Sequence, residues 1–383
     1  MQQAEVIAYF GDDPTRLYQL LQWLPALERL GDSHAVAIVT RNPETADVVG
    51  SRTRLPVYDA PEFAELADLY EQLDPKVALY CNNGMRNFQS LLHGRILHVH
   101  INHGESDKHS MVSNNAKAYD RVLVAGEAAV QRHRAGLMEF DDSRLVRIGR
   151  PQLDLRPEPI LPPSERRTVL YAPTWEGDAD YNDYTSVDVF GVQIMRALLA
   201  VPSVRVVYKP HPKVTTSLTP AIAEAHQQIL DALDDAARVD TSAGHLAACE
   251  ADILAVFQGC DAMVTDVSSV GLDWLYLQTD KPIFITDRHH DGERLRTEVP
   301  VSRCSDVIDS RNLAELTALV SERLDHDEHH IARTAMRHHY FDDFGVGEST
   351  ERFLDTVAEL VRRRDRLVGA HPSSHDALGA ATA

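Results

Sequence analysis

The chain has 383 residues, of which 44% are hydrophobic and 25% are charged. This length favours two domains, and the composition is that of a folded globular protein rather than a disordered, collagenous or coiled-coil one. Fifty-eight acidic residues against 38 basic ones give a net charge of −20, which argues against non-specific binding to nucleic acid or to an anionic membrane surface. A phosphate-bearing ligand must therefore be held by local dipoles and a few chosen side chains.

Four cysteines stand at irregular spacings with no C-x-x-C pair, so the sequence indicates neither a disulfide framework nor a thiolate zinc site. The N-terminus, MQQAEVIAYFGDD, lacks a basic region, and no stretch approaches the length of an apolar membrane span. We therefore expect a soluble protein of the reducing cytoplasm.

Short β-branched runs alternate with amphipathic segments from Glu5 to about Asp154, which predicts strands separated by helices. In chain order the first half reads EVIAYF, LYQLLQWLPALERL, HAVAIVT, PEFAELADLYEQL, KVALYC, ILHVHIN and RVLVAG. Residues 156–167 carry four prolines in twelve positions, which predicts a stiff interdomain linker. The alternation restarts with TVLYAPTW, DVFGVQIMRALLA, VRVVYKPHP, AIAEAHQQILDALDDAA, ADILAVFQGC, DAMVTDVSS and KPIFITD. Both halves therefore predict a doubly wound parallel sheet.

These patterns predict Rossmann-like domains over residues 1–155 and 168–346, a closing helix over 347–370 and a disordered tail over 371–383. The closing helix ends in arginines, which suit the negative end of a helix. Its apolar stripe either packs onto the protein body, the more frequent arrangement, or joins the arginines in a peripheral membrane contact. The stripe is Phe353, Val357, Leu360 and Val361, and the arginines are Arg362, Arg363, Arg364 and Arg366.

Residues directly after each predicted strand are the candidate functional residues, because ligands of open α/β sheets bind beyond the carboxyl ends of the strands. Asp266 closes one strand, and Ser268 or Ser269 is placed to cap the next helix, whose N-terminus suits a diphosphate. From the spacing alone, a serine that only caps the helix is a better interpretation than a serine that binds phosphate. Lys209 and His211 follow the run VRVVY, where they either bind phosphate or lie in solvent.

Histidines and carboxylates offer further candidates. His103 ends the run ILHVHIN, and an imidazole with an ordinary pKa of about 6.5 suits a base that takes a proton from a hydroxyl. His98 and His100 share a strand face, but no third zinc ligand can be assigned, so a satisfied polar face is the better interpretation. Asp178 and Asp180 form a D-x-D pair that holds a divalent cation in some nucleotide-sugar transferases, whereas a solvated acidic loop is more frequent. We therefore expect neither a metal nor another cofactor.

The strand-end motifs, in this order, resemble those of the CDP-glycerol glycerophosphotransferase family, whose members prime or polymerise glycerol-phosphate wall and capsule polymers on a two-domain GT-B scaffold. The resemblance covers residues from about 95 to 355. The sequence departs from the family pattern at Glu105-Ser106-Asp107, Gln152 and Glu176. The matching motifs are His103-Gly104 with Lys108, Gly149-x-Pro151-x-x-Asp154, Ala172-Pro173-Thr174-Trp175, His211-Pro212, Thr265-Asp266-x-Ser268-Ser269 with Asp273, and Gly347-Glu348-Ser349-Thr350-Glu351-Arg352.

The resemblance implies an α/β GT-B fold, in which two Rossmann-like domains, the first for acceptor and the second for nucleotide, face an interdomain cleft. It implies transfer of glycerol phosphate from CDP-glycerol, or a related CDP-alditol donor, to a glycerol-phosphate or lipid-linked acceptor at the inner face of the membrane. The implied catalytic residues are His103, as general base, and His211. The implied nucleotide and phosphate ligands are Lys209, Thr265, Asp266, Ser268, Ser269, Ser349, Arg352, Pro173 and Thr174, with Asp154, Asp273 and Lys108 in orienting roles.

Three alternatives stay open at this point. One keeps the fold and transfers ribitol phosphate or a sugar. Another is a nucleotide-sugar epimerase, and the last is a non-catalytic nucleotide-binding partner protein in which the altered His103 loop has lost catalysis.

Overall fold

The computed structural model describes residues 3–108, 111–155, 157–177, 179–345 and 347–370. By its contacts the chain forms two compact units: unit 1 comprises Met1–Gly104, Val112–Leu155 and Phe341–Ala383, and unit 2 comprises Glu105–Met111 and Arg156–Tyr340. Two pieces thus group differently from the predicted domains. The short segment after His103 belongs to unit 2, and the closing helix belongs to unit 1. The predicted tail at 371–383 lies outside the described residues.

Unit 1 contains a seven-stranded sheet in which all strands are parallel, with the order β3-β2-β1-β4-β5-β6-β7. The chain adds strands in one direction from β1 to β3 and in the opposite direction from β4 to β7. The reversal between β1 and β4 is a topological switch point, where α/β proteins bind ligands. The strands are β1 Val6–Phe10, β2 Val36–Thr40, β3 Val57–Asp59, β4 Val77–Tyr80, β5 Leu97–His100, β6 Arg121–Val124 and β7 Leu145–Arg147.

Unit 2 repeats this plan with a six-stranded parallel sheet of order β10-β9-β8-β11-β12-β13. Its switch point lies between β8 and β11, so the residues that follow these two strands share one edge of the sheet. The doubly wound parallel arrangement predicted from the sequence is therefore confirmed in both units. The strands are β8 Arg167–Ala172, β9 Val204–Tyr208, β10 Leu246–Ala247, β11 Ala262–Thr265, β12 Ile283–Thr286 and β13 Asp306–Ile308.

Helices connect successive strands in both units. The predicted helix over LYQLLQWLPALERL is divided into α1 and α2, and Pro25 lies in the first turn of α2, where a proline is tolerated. Unit 1 contains α1 Tyr18–Leu21, α2 Leu24–Leu30, α3 Pro43–Gly50, α4 Phe63–Leu73, α5 Asn87–Ser90, α6 Glu127–Gly136, α7 Pro151–Asp154 and α16 Glu348–Ala370. Unit 2 contains α8 Val192–Leu199, α9 Pro212–Thr215, α10 Pro220–Val239, α11 Ile253–Phe257, α12 Ser269–Leu277, α13 Gly292–Glu298, α14 Leu316–Asp325 and α15 His330–Phe341, whose last residue groups with unit 1.

The closing helix α16 completes the hydrophobic core of unit 1. Its residues Phe353 and Val357 are fully buried, and the Phe353 ring lies 5.1 Å from the ring of Trp23. Leu360 and Val361 are 5% exposed in the same core. The apolar stripe is therefore taken up by the protein body and cannot make the peripheral membrane contact that we considered. Among the described residues, no helix combines the length and the hydrophobicity that a membrane crossing requires.

Candidate active site

A buried aspartate organises the switch point of unit 2. Asp266 follows β11, and its carboxylate accepts hydrogen bonds from Thr174 N at 2.7 Å, from Ser186 N at 3.2 Å and from Thr286 Oγ1 at 2.6 Å. Burial raises the pKa of Asp266, and the hydrogen-bond donors oppose that rise. Asp266, at the start of the loop after β11, thus ties this loop to the segment after β8 and to the last residue of β12. The three donors use this carboxylate for a structural purpose, although the resemblance implies that Asp266 is a ligand of the nucleotide or its phosphates.

Two hydroxyl groups lie at this edge of the sheet. Ser268 is the N-cap residue of α12, yet its Oγ makes no capping bond, is buried and has no hydrogen-bond partner among the described residues. Thr174 is 5% exposed, and its main chain is fixed on both sides, by Asp266 and by the Thr185 hydroxyl, which donates to Thr174 O at 2.7 Å. An uncommitted hydroxyl beside the N-terminus of a nine-residue helix is suited to bind an anion.

Other predicted ligands of this edge have structural contacts. Thr265 is fully buried and donates to Ala172 O at 2.7 Å, which ties β11 to β8. Ser269 is the first residue of α12, while Asp273 lies buried in the same helix. Lys209 is 5% exposed, donates to Pro210 O at 2.9 Å, and has a pKa lowered by burial. These contacts engage the side chains of Thr265 and Lys209, and they leave the hydroxyl groups of Thr174, Ser268 and Ser269 at the switch point.

The motifs Ala172-Pro173-Thr174-Trp175 and His211-Pro212 pack against each other. They follow the neighbouring strands β8 and β9, and His211 N donates to Pro173 O at 2.9 Å. The His211 ring centroid lies 6.0 Å from that of Trp175, and His211 Nδ1 accepts from Lys213 N at 3.2 Å. His211 is the N-cap residue of the short helix α9. The histidine is therefore held in a fixed orientation at the carboxyl edge of the sheet.

His103 occupies the corresponding edge of unit 1, three residues after β5 ends. Burial lowers the pKa of His103 to about 4; a hydrogen bond to the Cys81 main chain opposes this shift, and Arg150 and Arg16 add to it. The imidazole is consequently neutral at pH 7. Its Nδ1 is buried and has no hydrogen-bond partner among the described residues. A neutral imidazole with an uncommitted nitrogen is the form that a general base requires.

The switch point of unit 1 also contains residues that the sequence analysis did not select. Asn82, after β4, donates to Asp12 Oδ2 at 3.0 Å and to Gln19 Oε1 at 2.9 Å. Burial raises the pKa of Asp12, which follows β1, and Arg16 Nη1 lies 3.8 Å from its carboxylate. A Cβ atom on Gly84 would lie 2.9 Å from Asp12 Oδ1, so the loop after β4 packs tightly on this group. The strand-end rule, applied to GDD after the first strand, was the available signal.

The motif Gly149-x-Pro151-x-x-Asp154 docks the closing helix. Asp154 accepts from Gly347 N at 2.9 Å, from Thr350 N at 2.6 Å and from Thr350 Oγ1 at 2.8 Å. Ser349 is fully buried, and its Oγ accepts from Arg150 N at 3.1 Å. These two motifs, almost 200 residues apart in the sequence, therefore form one structural joint inside unit 1. Arg352, also in unit 1, is exposed and stacks on the Phe344 ring at 4.1 Å.

The departures from the family pattern are mostly buried. Glu105 and Ser106 are each 4% exposed, and Asp107 accepts a hydrogen bond from the hydroxyl of Tyr340. Burial raises the pKa of Asp107 to about 7, so this added carboxyl carries only part of its charge at neutral pH. Gln152 accepts from Arg150 Nε at 3.3 Å. Glu176 Oε1 accepts from the hydroxyls of two residues of the loop before α10, Ser217 and Thr219.

The residues weighed as metal ligands have other contacts. Both ring nitrogens of His98 are engaged, Nδ1 with Tyr80 Oη at 2.7 Å and Nε2 with His93 O at 3.0 Å, as the interpretation of a satisfied face requires. Asp180 is exposed, and Asp178 lies outside the described residues. One described group, Asp306, Glu328 and His329, has metal-like spacing. Arg323 donates to both of its carboxylates, so we interpret the group as an ion-pair network.

Solved structures with the same fold come from several kinds of enzyme. A putative UDP-N-acetylglucosamine 2-epimerase from Listeria monocytogenes is 14% identical, with a TM-score of 0.61 over 94% of this chain and 97% of that one. The wall teichoic acid polymerase TagF is 14% identical, with a TM-score of 0.57 over 94% and 90%. The S. aureus MnaA–UDP co-structure is 12% identical, with a TM-score of 0.57 over 94% of this chain and 97% of that one. These similarities confirm the predicted GT-B class.

Sequence comparison gives the family. No curated protein matches the chain. The family model described as CDP-Glycerol:Poly(glycerophosphate) glycerophosphotransferase matches residues 93–359, which is more than half of the chain and includes every motif quoted above. The chain therefore belongs to the CDP-glycerol:poly(glycerophosphate) glycerophosphotransferase family.

Proposed function

We propose that this protein transfers glycerol phosphate from CDP-glycerol to a hydroxyl group of a glycerol-phosphate or lipid-linked acceptor, in the synthesis of a wall teichoic acid or capsule-type polymer. The observation that carries the proposal is the neutral imidazole of His103 with its uncommitted Nδ1. Family membership and the hydroxyl-lined helix start at Ser268 support it. We place this reaction in the cytoplasm, as the cysteine pattern of the sequence leads us to expect.

In this reaction His103 accepts the proton of the acceptor hydroxyl as its oxygen attacks the phosphorus distal to the nucleoside. A new P–O bond forms to the acceptor, the bond between the two phosphates breaks, and CMP leaves. The N-terminus of α12, with Ser268 and Thr174, binds the diphosphate and stabilises the charge that moves to the leaving phosphate. We assign His211, fixed beside Trp175, to that leaving group. Such chemistry needs positioning and charge stabilisation rather than a covalent intermediate.

The test is product analysis by mass spectrometry after incubation with CDP-glycerol and a soluble phosphoglycerol acceptor. We expect CMP and an acceptor heavier by one glycerol phosphate, at a rate that His103→Gln reduces by at least about 100-fold. His34→Gln, a partly exposed histidine of unit 1 that pairs with Glu5, is the matched control and should retain the rate. Transfer from CDP-ribitol alone, or epimerisation of a UDP-sugar, would replace the proposed donor. Binding of CDP without any product would favour a non-catalytic partner protein.

A further inference from the structure

The ammonium group of Lys108 reaches the switch point of unit 2. Lys108 Nζ lies 3.4 Å from Thr174 Oγ1 and 5.7 Å from the centroid of the Tyr184 ring. Thr174 follows β8, and its neighbour β11 leads into Ser268, so the ammonium lies at the edge that carries the uncommitted Ser268 hydroxyl. Lys108 belongs to unit 2 although it stands only five residues after His103 in the sequence.

Lys108 lacks a close carboxylate partner in the part of the chain that the structure describes. Among the described residues no carboxylate lies within 4 Å of its Nζ. Two carboxylates act on it from farther away, those of Asp266 and Asp183. Asp266 is already bonded to three donors, and Asp183 is paired with Arg288 at 2.9 Å. A partly buried cation without an ion-pair partner is costly, so its presence at a ligand-binding edge points to an anion that supplies the missing charge.

The segment around Lys108 is anchored to unit 2. The preceding residue, Asp107, accepts a hydrogen bond from Tyr340, which is fully buried, and Lys108 N donates to Ser106 Oγ at 3.4 Å. These contacts hold the backbone from which the lysine side chain extends toward Thr174. The ammonium is therefore positioned before any ligand arrives, which reduces the entropy cost of binding.

We propose that Lys108 binds the diphosphate of the donor directly, together with the hydroxyls of Thr174 and Ser268. This inference rests on the proposed function for the identity of the donor, and it goes beyond the orienting role that the sequence resemblance gives to Lys108. The ligand chemistry is a diphosphate, whose oxygens accept charge-assisted hydrogen bonds from an ammonium and from hydroxyls. Nucleoside recognition is left to other residues.

The pH dependence of binding follows from the same surroundings. Burial lowers the pKa of Lys108 to about 8, against the opposing effect of Asp266 and Asp183. The other charged or titratable neighbours are Asp107, whose pKa burial raises to about 7, Tyr184, whose pKa burial also raises, and Arg288 on Asp183. Lys108 is therefore protonated at pH 7 and loses its proton as the pH rises through 8. We expect the affinity for CDP to fall between pH 8 and 9.5 in the wild type, where Asp107 is already largely ionised, and to stay nearly constant over that range in Lys108→Arg.

The experiment is isothermal titration calorimetry with CDP, inorganic pyrophosphate and cytidine. We expect Lys108→Met to lower the affinity for CDP and for pyrophosphate by about 10-fold or more and to leave the affinity for cytidine unchanged. The affinities of Lys108→Arg should stay within about 3-fold of those of the wild type. Lys281→Met is the matched control, because this lysine donates to Cys260 O just before β12, at the opposite edge of the same sheet. Thermal unfolding of each variant establishes that it is folded.

The outcomes separate this inference from the proposed function. The role of Lys108 would be overturned if CDP and pyrophosphate bound Lys108→Met with wild-type affinity. It would also be overturned if neither of them bound the wild type. Should Lys108→Met fail to fold, the same titrations on Thr174→Val, together with the wild-type pH profile, decide the matter. Pyrophosphate binding that depends on Lys108 without any binding of CDP would retain the anion site and refute the cytidine donor. CDP-glycerol turnover in a Lys108→Met enzyme with unchanged KM would also count against Lys108.

Discussion

Replacing Asp154 tests whether the motif Gly149-x-Pro151-x-x-Asp154 and the start of α16 form a structural joint. Asp154 receives three hydrogen bonds from the start of α16, two of them from backbone N–H groups that have no partner in the first turn of a helix. Loss of an aspartate cap costs about 0.5–2 kcal/mol, and hydrogen bonds to a charged group contribute about 1.5–3 kcal/mol each. Because Asp154 is partly exposed and water can replace some of these bonds, we expect Asp154→Ala to destabilise unit 1 by about 2–4 kcal/mol.

Urea unfolding combined with hydrogen exchange measures this effect, since exchange reports on α16 separately from unit 2. We expect faster exchange over residues 348–354 in Asp154→Ala, and about half the loss of stability in Asp154→Asn. Glu351→Ala is the matched control in the same helix, because Glu351 forms an exposed ion pair with Arg29 and should cost less than about 1 kcal/mol. An Asp154→Ala protein within about 0.5 kcal/mol of wild type would refute the joint.

Three further outcomes are expected. Because burial lowers the pKa of His103 to about 4, turnover at saturating CDP-glycerol should stay constant as the pH falls from 8 to about 5.5, and an inflection between pH 6 and 7 in these saturated initial rates would contradict a shielded base. Gly149→Ala should lower the free energy of unfolding by more than about 2 kcal/mol, since Gly149 has a φ of 74° and a Cβ there would lie 2.1 Å from Ser349 Oγ. The control Gly50→Ala, whose Cβ would meet no atom within 4 Å, should leave the free energy of unfolding in urea nearly unchanged. Asp266→Asn turns a full acceptor into a partial donor and should cost about 2–4 kcal/mol by thermal unfolding, and a change below about 1 kcal/mol would exclude its anchoring role.

The central strands and the edge strand β7, which lies in the run RLVRI, could be predicted from the sequence, and the other three edge strands could not. The unpredicted strands β3, β10 and β13 contain two or three residues each and all lie at an edge of a sheet. Strands such as β1 and β4 are buried on both faces and read as continuous apolar runs. A short edge strand owes its conformation to the neighbour with which it pairs, and this information is absent from its own few residues.

Site residues could be predicted where their position directly after a strand was sufficient to identify them. The rule that ligands lie beyond strand ends selected His103, Thr174, His211 and Ser268 without any knowledge of their neighbours. Pairings between distant segments were not predictable, since no local pattern links Asp154 to the start of α16. The same limit applies to Lys108, which leaves the first half of the chain and joins the second unit. Burial, which decides the pKa of His103, also depends on such distant contacts.

The interlaced course of the chain has a consequence for modular exchange. The chain passes between the two units four times, at residues 104/105, 111/112, 155/156 and 340/341. A chimera that joins halves of two relatives at the proline-rich segment would give each unit a foreign piece. Unit 1 would receive an unmatched α16 in its core, and unit 2 would receive an unmatched segment around Lys108. Exchange that preserves each unit must therefore carry residues 105–111 with unit 2 and α16 with unit 1.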